Sequence, residues 1–272
     1  MKNTFGDWIN NTESLNKSFI NGEPYEHVVI DKFFNEEFLS ELINSFPSID
    51  DLNNKWYIYN NPIEKKYALN NFNNLPIYKE LFKYLQTEEF INIISKVTSI
   101  INLENDPHLH GAGLHYHPRG GKLDMHLDYS IHPITGKERR VNLIIYLNNE
   151  WKEEYNGDLQ LWDSNFVEPV KKYYPYYNRA ILFRTSDISY HGLPNPIKCP
   201  ESTGRKSLAI YYVSEPRNNP IMRLKAEYRP LPNQPLNPKL KQLYEIRKYR
   251  IITDKDLEEI YPNWQEEGNG YW

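Results

Sequence analysis

The chain is poor in the features that would assign it to an easily recognised class. It has one cysteine, Cys199, among 272 residues. A lone thiol cannot build a disulfide framework, so packing must hold the fold, and a reducing, cytoplasmic setting is expected. No stretch approaches the roughly 20 apolar residues that a membrane-crossing helix requires. The opening MKNTFGDWINN lacks the apolar run of a secretory signal. Without one, Asn10-Asn11-Thr12 and Asn16-Lys17-Ser18 read as accidental matches to the glycosylation pattern. Basic residues are not in excess: 32 Lys and Arg stand against 36 Asp and Glu, a net charge of −4. Neither a nucleic-acid nor a membrane partner is therefore expected. Internal repeats and long low-complexity tracts are also absent.

Tyrosine is plentiful, at 22 residues. Its ring buries while its hydroxyl seeks a partner, which suits pockets and half-wet surfaces. Residues 1–24 are polar and Asn-rich and are expected to be loosely attached, with one short helix. YEHVVIDKFF (25–34) reads as a strand. NEEFLSELINSFP then reads as a helix: Asn35 can cap it, Glu36 and Glu37 suit its first turn, and Pro47 stops it. PIYKELFKYL (76–85) and the segment capped by Thr87 are two more helices. From about residue 101 short β-rich runs alternate with Gly, Pro and Asn, the pattern of a sandwich or barrel. After about residue 216 this texture fades into helical segments, NPKLKQLYEIRKYRI and DKDLEEIY. The expected organisation is one mostly β domain with flanking helices. Residues 1–100 supply a strand and supporting helices, 101–216 the β core, and 217–272 a helical extension.

Histidines cluster between positions 108 and 132. His115 and His117 share one face of a strand, but no Glu follows at the spacing a cupin-type metal site would use. His126-Leu127-Asp128 is the better pair, because residues two apart on a strand point the same way. His191, in SYHGLP, is the remaining histidine further along the chain. Two imidazoles and one carboxylate on one side of an ion are the ligand set of non-haem Fe(II) oxygenases, which keep positions open for other ligands. Arg205 opens the apolar strand RKSLAIYY, with Ser207 on the same face. A guanidinium and a hydroxyl placed so can hold a carboxylate. A His-x-Asp pair by itself is a weak signal that more often has no metal, and an isolated Arg is more often a surface salt bridge.

Four segments carry a family resemblance. They are Tyr116 followed by HPRGGKLDMHLD; LIIYLNNEWKEEYNGDLQLWD; NRAILFRTSDISYHGLP; and RKSLAIYY. In this order they resemble the Fe(II)/2-oxoglutarate-dependent dioxygenases of the prolyl-hydroxylase-like branch, over about residues 108–214. The resemblance implies a double-stranded β-helix, a jelly-roll or cupin-like core supported by N- and C-terminal helices. It implies that His126, Asp128 and His191 bind Fe(II). Arg205 would hold the distal carboxylate of 2-oxoglutarate, with Tyr116 and Tyr146 lining that pocket and Ser207 assisting. The implied reaction consumes O2, with ascorbate as an optional reductant. It hydroxylates an unactivated C–H bond, first of all in a peptidyl proline, and releases succinate and CO2. A free amino acid, a sugar or another small metabolite is the alternative substrate, and a metal-free β-barrel binding module is the non-enzyme alternative. Candidate rim residues are Tyr129, His132, Arg140, Asn142, Trp151, Trp162 and Arg184, although a Trp placed like Trp162 in LQLWD is more often core than contact. The interval from His191 to Arg205, with Pro194, Pro196 and Pro200, is longer than in relatives and is expected at the pocket mouth. Lys206 is the fallback for Arg205 but points the other way.

Overall fold

The computed structural model describes residues 4–234 and 237–267. Among the described residues, thirteen strands join in one curled sheet in which every pairing is antiparallel. In chain order they are β1 (His27–Asp31), β2 (Tyr57–Asn60), β3 (Glu64–Leu69), β4 (Glu104–Asn105), β5 (Gly113–His117), β6 (Lys122–Leu127), β7 (Glu138–Tyr146), β8 (Leu159–Trp162), β9 (Pro169–Tyr173), β10 (Arg179–Arg184), β11 (Tyr190–Leu193), β12 (Arg205–Ser214) and β13 (Glu227–Tyr228). The spatial order along the sheet is β1-β10-β7-β12-β5-β3-β6-β11-β8-β9. Consecutive strands are mostly not neighbours, as the crossovers of a double-stranded β-helix require.

Helices α1 (Thr12–Ile20), α2 (Glu36–Asn44), α3 (Pro76–Leu85) and α4 (Glu88–Thr98) cover one face of the sheet. The Asn35 and Thr87 side chains accept from Phe38 N and Phe90 N, the N-caps their positions suggest. Strand alternation sorts the sheet cleanly. Leu208, Ile210 and Tyr212 of β12, with Val141, Leu143 and Ile145 of β7, pack under the helices. Ser207, Ala209 and Tyr211, with Asn142 and Ile144, face a cavity on the other side. The Tyr212 hydroxyl donates to Leu85 O at 3.0 Å, joining α3 to the sheet.

Two expectations need correction. Residues 4–24 are not loosely attached: Trp8 and Phe19 are buried, Trp8 Nε1 donates to Phe33 O at 2.7 Å, and α1 packs on α4. The apolar residues there are few but large, so polar composition hid them. The β2–β3 hairpin was not anticipated either, because YIYN is short and mostly exposed and EKKYAL opens on three charged residues. Asn61 Oδ1 caps its turn by accepting from Ile63 N and Glu64 N.

The C-terminal region forms β13 and helices α5 (Pro238–Arg247), α6 (Asp254–Ile260) and α7 (Trp264–Glu267). Its apolar side chains make a second core with Ile63 and Tyr228. Part of the expected 217–272 extension lies outside the described residues.

Candidate active site

Strands β6 and β11 pair with His126 opposite His191. Asp128 follows β6 directly. The ligating atoms of His126, Asp128 and His191 all lie within 4.8 Å of one another, and all three residues are buried. Each imidazole has its Nδ1 against a main-chain carbonyl two residues back: His126 on Asp124 O at 2.8 Å and His191 on Ser189 O at 2.9 Å. A carbonyl only accepts, so Nδ1 carries the proton and Nε2 keeps its lone pair. Both Nε2 atoms face the Asp128 carboxylate at 3.7 Å, too far for a hydrogen bond. Two lone pairs aimed at an anion repel unless a cation lies among them. The donor set therefore fits a divalent metal, held from one side.

Asp128 is kept anionic. Burial alone would raise its pKa, yet the Arg139 guanidinium holds it well below the ordinary carboxylate range. Arg139 Nη1 lies 3.0 Å from Asp128 Oδ2, and Asn142 Nδ2 donates to the same oxygen at 3.3 Å. The Arg139 guanidinium is sandwiched between the rings of Tyr129 and Tyr211, at 3.5 and 3.4 Å. This fixes the charge in place by cation–π contact. Burial pushes His191 down to about 4, which keeps it a neutral donor near pH 7.

A cavity of about 200 Å³ opens beside these ligands. At one end Arg205, 3% exposed, donates to Gly157 O (3.0 Å), Ser207 Oγ (3.4 Å) and Tyr146 Oη (3.2 Å). Among the described residues no carboxylate lies within ion-pair distance of it. Directly across the β5–β12 ladder, His117 is buried with neither ring nitrogen hydrogen-bonded. Burial, then Arg205, pushes it well below the usual imidazole range, and burial, then Lys66 and Arg205, pushes its neighbour His115 down to about 3. An unpaired buried cation beside an orphaned imidazole is costly unless an anion arrives. A dicarboxylate fits this end of the cavity.

Sequence reasoning brought His126, Asp128, His191, Arg205, Ser207, Tyr129 and Asn142 to this cavity, and Tyr146 to the side of Arg205. Others fall elsewhere. Tyr116 is on the opposite face of β5, against Phe46 and Tyr67, so alternation delivers His115 and His117 instead. Arg140 turns away to donate to Ser214 Oγ, because a bulge opposite Tyr212 and Val213 makes it the extra residue of β7 and swings Arg139 inward. Arg184 pairs with Glu26 at 3.0 Å. Trp151 packs with Ile197 and Cys199, and Trp162 with Met125 and Phe166. His132 is held by Asp106, Nε2 to Oδ1 3.1 Å. The proline-rich 194–204 segment is not at the mouth; Ile197 N donates back to Gly121 O and the loop packs beside Trp151. Lys206 lies on the far face, over Phe46. The reading missed Arg139, His115, His117, Tyr211, Lys66 and Tyr228, all of which line the cavity. Tyr211 was discoverable: it continues the Arg205-Ser207-Ala209 alternation.

Comparisons with known proteins agree with this geometry. Residues 112–213 match the family model of the 2OG-Fe(II) oxygenase superfamily. Mouse (Mus musculus) prolyl 3-hydroxylase OGFOD1 is 25% identical over 248 residues, covering 88% of this chain. The chain spans 41% of that relative's length. Two solved structures share the fold. A Pseudomonas putida prolyl-4-hydroxylase has a TM-score of 0.52 at 15% identity, over 74% of this chain and 100% of its own. A Trichoplax adhaerens prolyl hydroxylase, in complex with a hypoxia inducible factor oxygen degradation domain peptide fragment, has 0.53 at 18%, over 79% and 96%.

Proposed function

We propose that this chain, a prolyl-hydroxylase-like 2OG-Fe(II) oxygenase by sequence match and fold, hydroxylates a prolyl residue within a peptide. The single observation that carries the oxygenase reading is the His126–Asp128–His191 cluster next to a buried, carboxylate-free Arg205 in one cavity. The prolyl preference draws on the relatives' own named activities.

His126, Asp128 and His191 would hold Fe(II), leaving the cavity side of the ion open. Arg205, with Ser207, Tyr146 and His117, would hold the far carboxylate of 2-oxoglutarate; the guanidinium supplies the charge and the hydroxyls and imidazole the remaining hydrogen bonds. When bound, Fe(II) and 2-oxoglutarate activate O2, giving succinate and CO2 and delivering one oxygen atom to a substrate C–H bond. The chain's part is position and dryness. Arg139 keeps Asp128 ionised, and Tyr129 and Tyr211 keep Arg139 still. The two Nδ1–H···O=C bonds stop either imidazole from rotating. Tyr59, Lys66 and Lys225 also line the cavity and are the substrate-side candidates.

The test is substrate-stimulated succinate formation in the presence of Fe(II), comparing proline-containing peptides with free proline and other small molecules. Peptides are expected to raise turnover and to gain one oxygen atom at proline. Stimulation by free metabolites alone would overturn the substrate. Absence of any iron-dependent succinate would overturn the oxygenase reading itself.

A further inference from the structure

The segment after residue 216 lies outside the family match, yet it touches Asp128, His126 and the turn that precedes His191. Residues 217–229 run along the barrel rim as a strap. Ser130 N donates to Arg223 O at 2.8 Å, Arg223 N donates back to Ser130 Oγ at 2.8 Å, and Ser130 Oγ donates to Ile221 O. The strap is thus laced to the chain two residues beyond Asp128.

Arg223 has a specific place in it. Its side chain is nearly buried, and Nε donates to the main-chain carbonyl of Asp128 at 3.1 Å. Its Nη1 meets Asp187 Oδ1 at 2.5 Å and its Nη2 donates to Ser186 O at 3.5 Å. Residues 186–189 form a tight turn, with Ser186 N donating to Ser189 Oγ and Ser189 Oγ to Ser186 O. Ser189 O is the acceptor that orients His191. One planar guanidinium therefore joins the Asp128 main chain to the turn that presents His191.

Tyr228 does the corresponding work at His126. In the β13–β6 pair it stands opposite His126, and its ring stacks on the imidazole at 5.0 Å and 27°. Its hydroxyl donates to the buried Glu64 Oε2 at 3.0 Å, and Glu64 in turn takes Arg247 Nε of α5 at 2.7 Å. A second tether from α5 runs through Tyr244 Oη to Asp124 Oδ2 at 2.7 Å. Asp124 supplies the carbonyl that holds His126 Nδ1.

We propose that Arg223 and Tyr228 are positioning residues of the metal centre: Arg223 rivets the Asp128 main chain to the His191 turn, and Tyr228 seats the His126 ring. The C-terminal segment is then part of the site's construction, and metal affinity depends on it. This rests on the metal-binding reading of the His126–Asp128–His191 cluster.

The experiment titrates the metal-free 272-residue chain with Co(II) as a spectroscopic stand-in for Fe(II), reading affinity and the ligand-field absorption bands. Circular dichroism and melting of each metal-free variant are recorded alongside. The original chain should bind one equivalent; if it does not, the metal reading fails and takes this proposal with it. Arg223→Gln and Tyr228→Leu should each weaken Co(II) binding by about 10- to 100-fold, the usual range for residues that orient ligands, and alter the absorption bands. Met222→Ala, at an exposed strap position, should change nothing. Affinity in Arg223→Gln and Tyr228→Leu within twofold of the original chain, with unchanged bands, overturns the proposal while leaving the metal site intact. So does an equal loss in Met222→Ala, which would make the effect one of general strap loosening. If Tyr228→Leu does not fold, Arg223→Gln decides.

Discussion

Asp128 is bound to two different tasks. It offers oxygens toward His126 and His191, and it neutralises the buried Arg139. Asp128→Ala should abolish iron-dependent succinate formation and also lower the melting temperature of the metal-free chain. Leaving one buried charge unpaired typically costs about 3–5 kcal/mol. His126→Ala should abolish the same turnover with a smaller stability loss, since it strands no charge. Succinate assays paired with thermal melts test both, and an undiminished rate in either variant would refute the ligand assignment. At Arg205 the expected effect is on co-substrate binding. Arg205→Ala should weaken 2-oxoglutarate binding by about 10- to 100-fold, the worth of a charge-assisted hydrogen bond of about 1.5–3 kcal/mol. Calorimetric titration with the dicarboxylate reads this, and Co(II) affinity should stay within a few-fold. Equal losses of both would make Arg205 structural.

Between elements, the distance from β11 to β6 sets the distance between two ligands. Gly192 sits in that contact. A Cβ there would lie 2.9 Å from both Asp124 O and Leu123 O and 3.0 Å from Met125 Sδ. Gly192→Ala should push β11 off β6, costing about 1–3 kcal/mol of stability as an overpacked contact does, and weaken metal binding as His191 recedes from His126. A Co(II) titration beside a denaturant melt checks it; unchanged affinity would mean the strands absorb the methyl elsewhere. The same scale explains where sequence reasoning erred. Period-two alternation correctly grouped Arg205 with Ser207 and His126 with Asp128. Arg140 and Asn142 were both named as rim candidates, and the bulge in β7 puts them on different faces. A bulge leaves no mark in the residues RRVN, because it depends on how β12 pairs. Tyr116 failed for a related reason: it stands between His115 and His117 on β5, and one residue is the difference between two faces of a strand.

Across the whole molecule, the helix-covered face supplies rigidity and the open face supplies chemistry. Burial holds several imidazoles neutral: His110 and His191 are pushed down to about 4 and His115 to about 3. Each binds a proton in the unfolded chain near pH 6.5 but not in the folded one. The unfolded state therefore gains protons first as pH drops, and stability falls with it. Glu64 adds to this at lower pH. Burial would raise its pKa, but Arg247 and Lys66 outweigh burial and hold it low, so its contribution is present above about 4.3 and lost as pH falls below. The metal-free chain should thus melt progressively lower from about pH 6.5 down to pH 4. A pH-independent melting curve over that window would show that the imidazoles are not held neutral by the fold.

The sequence by itself determined the donor types, their order and their local pairing. His126-x-Asp128, a later His191 and Arg205 at the head of an apolar strand are all local facts, and strand geometry turns them into directions. The caps of α2 and α4 were equally local. Tertiary structure alone decided which side chains complete the site. Arg139 reaches Asp128 through a bulge, His117 faces Arg205 across a ladder, and Tyr228 stacks on His126 from a segment about a hundred residues away. Each depends on register between distant strands, and register is a property of the packed sheet that no short window of residues contains.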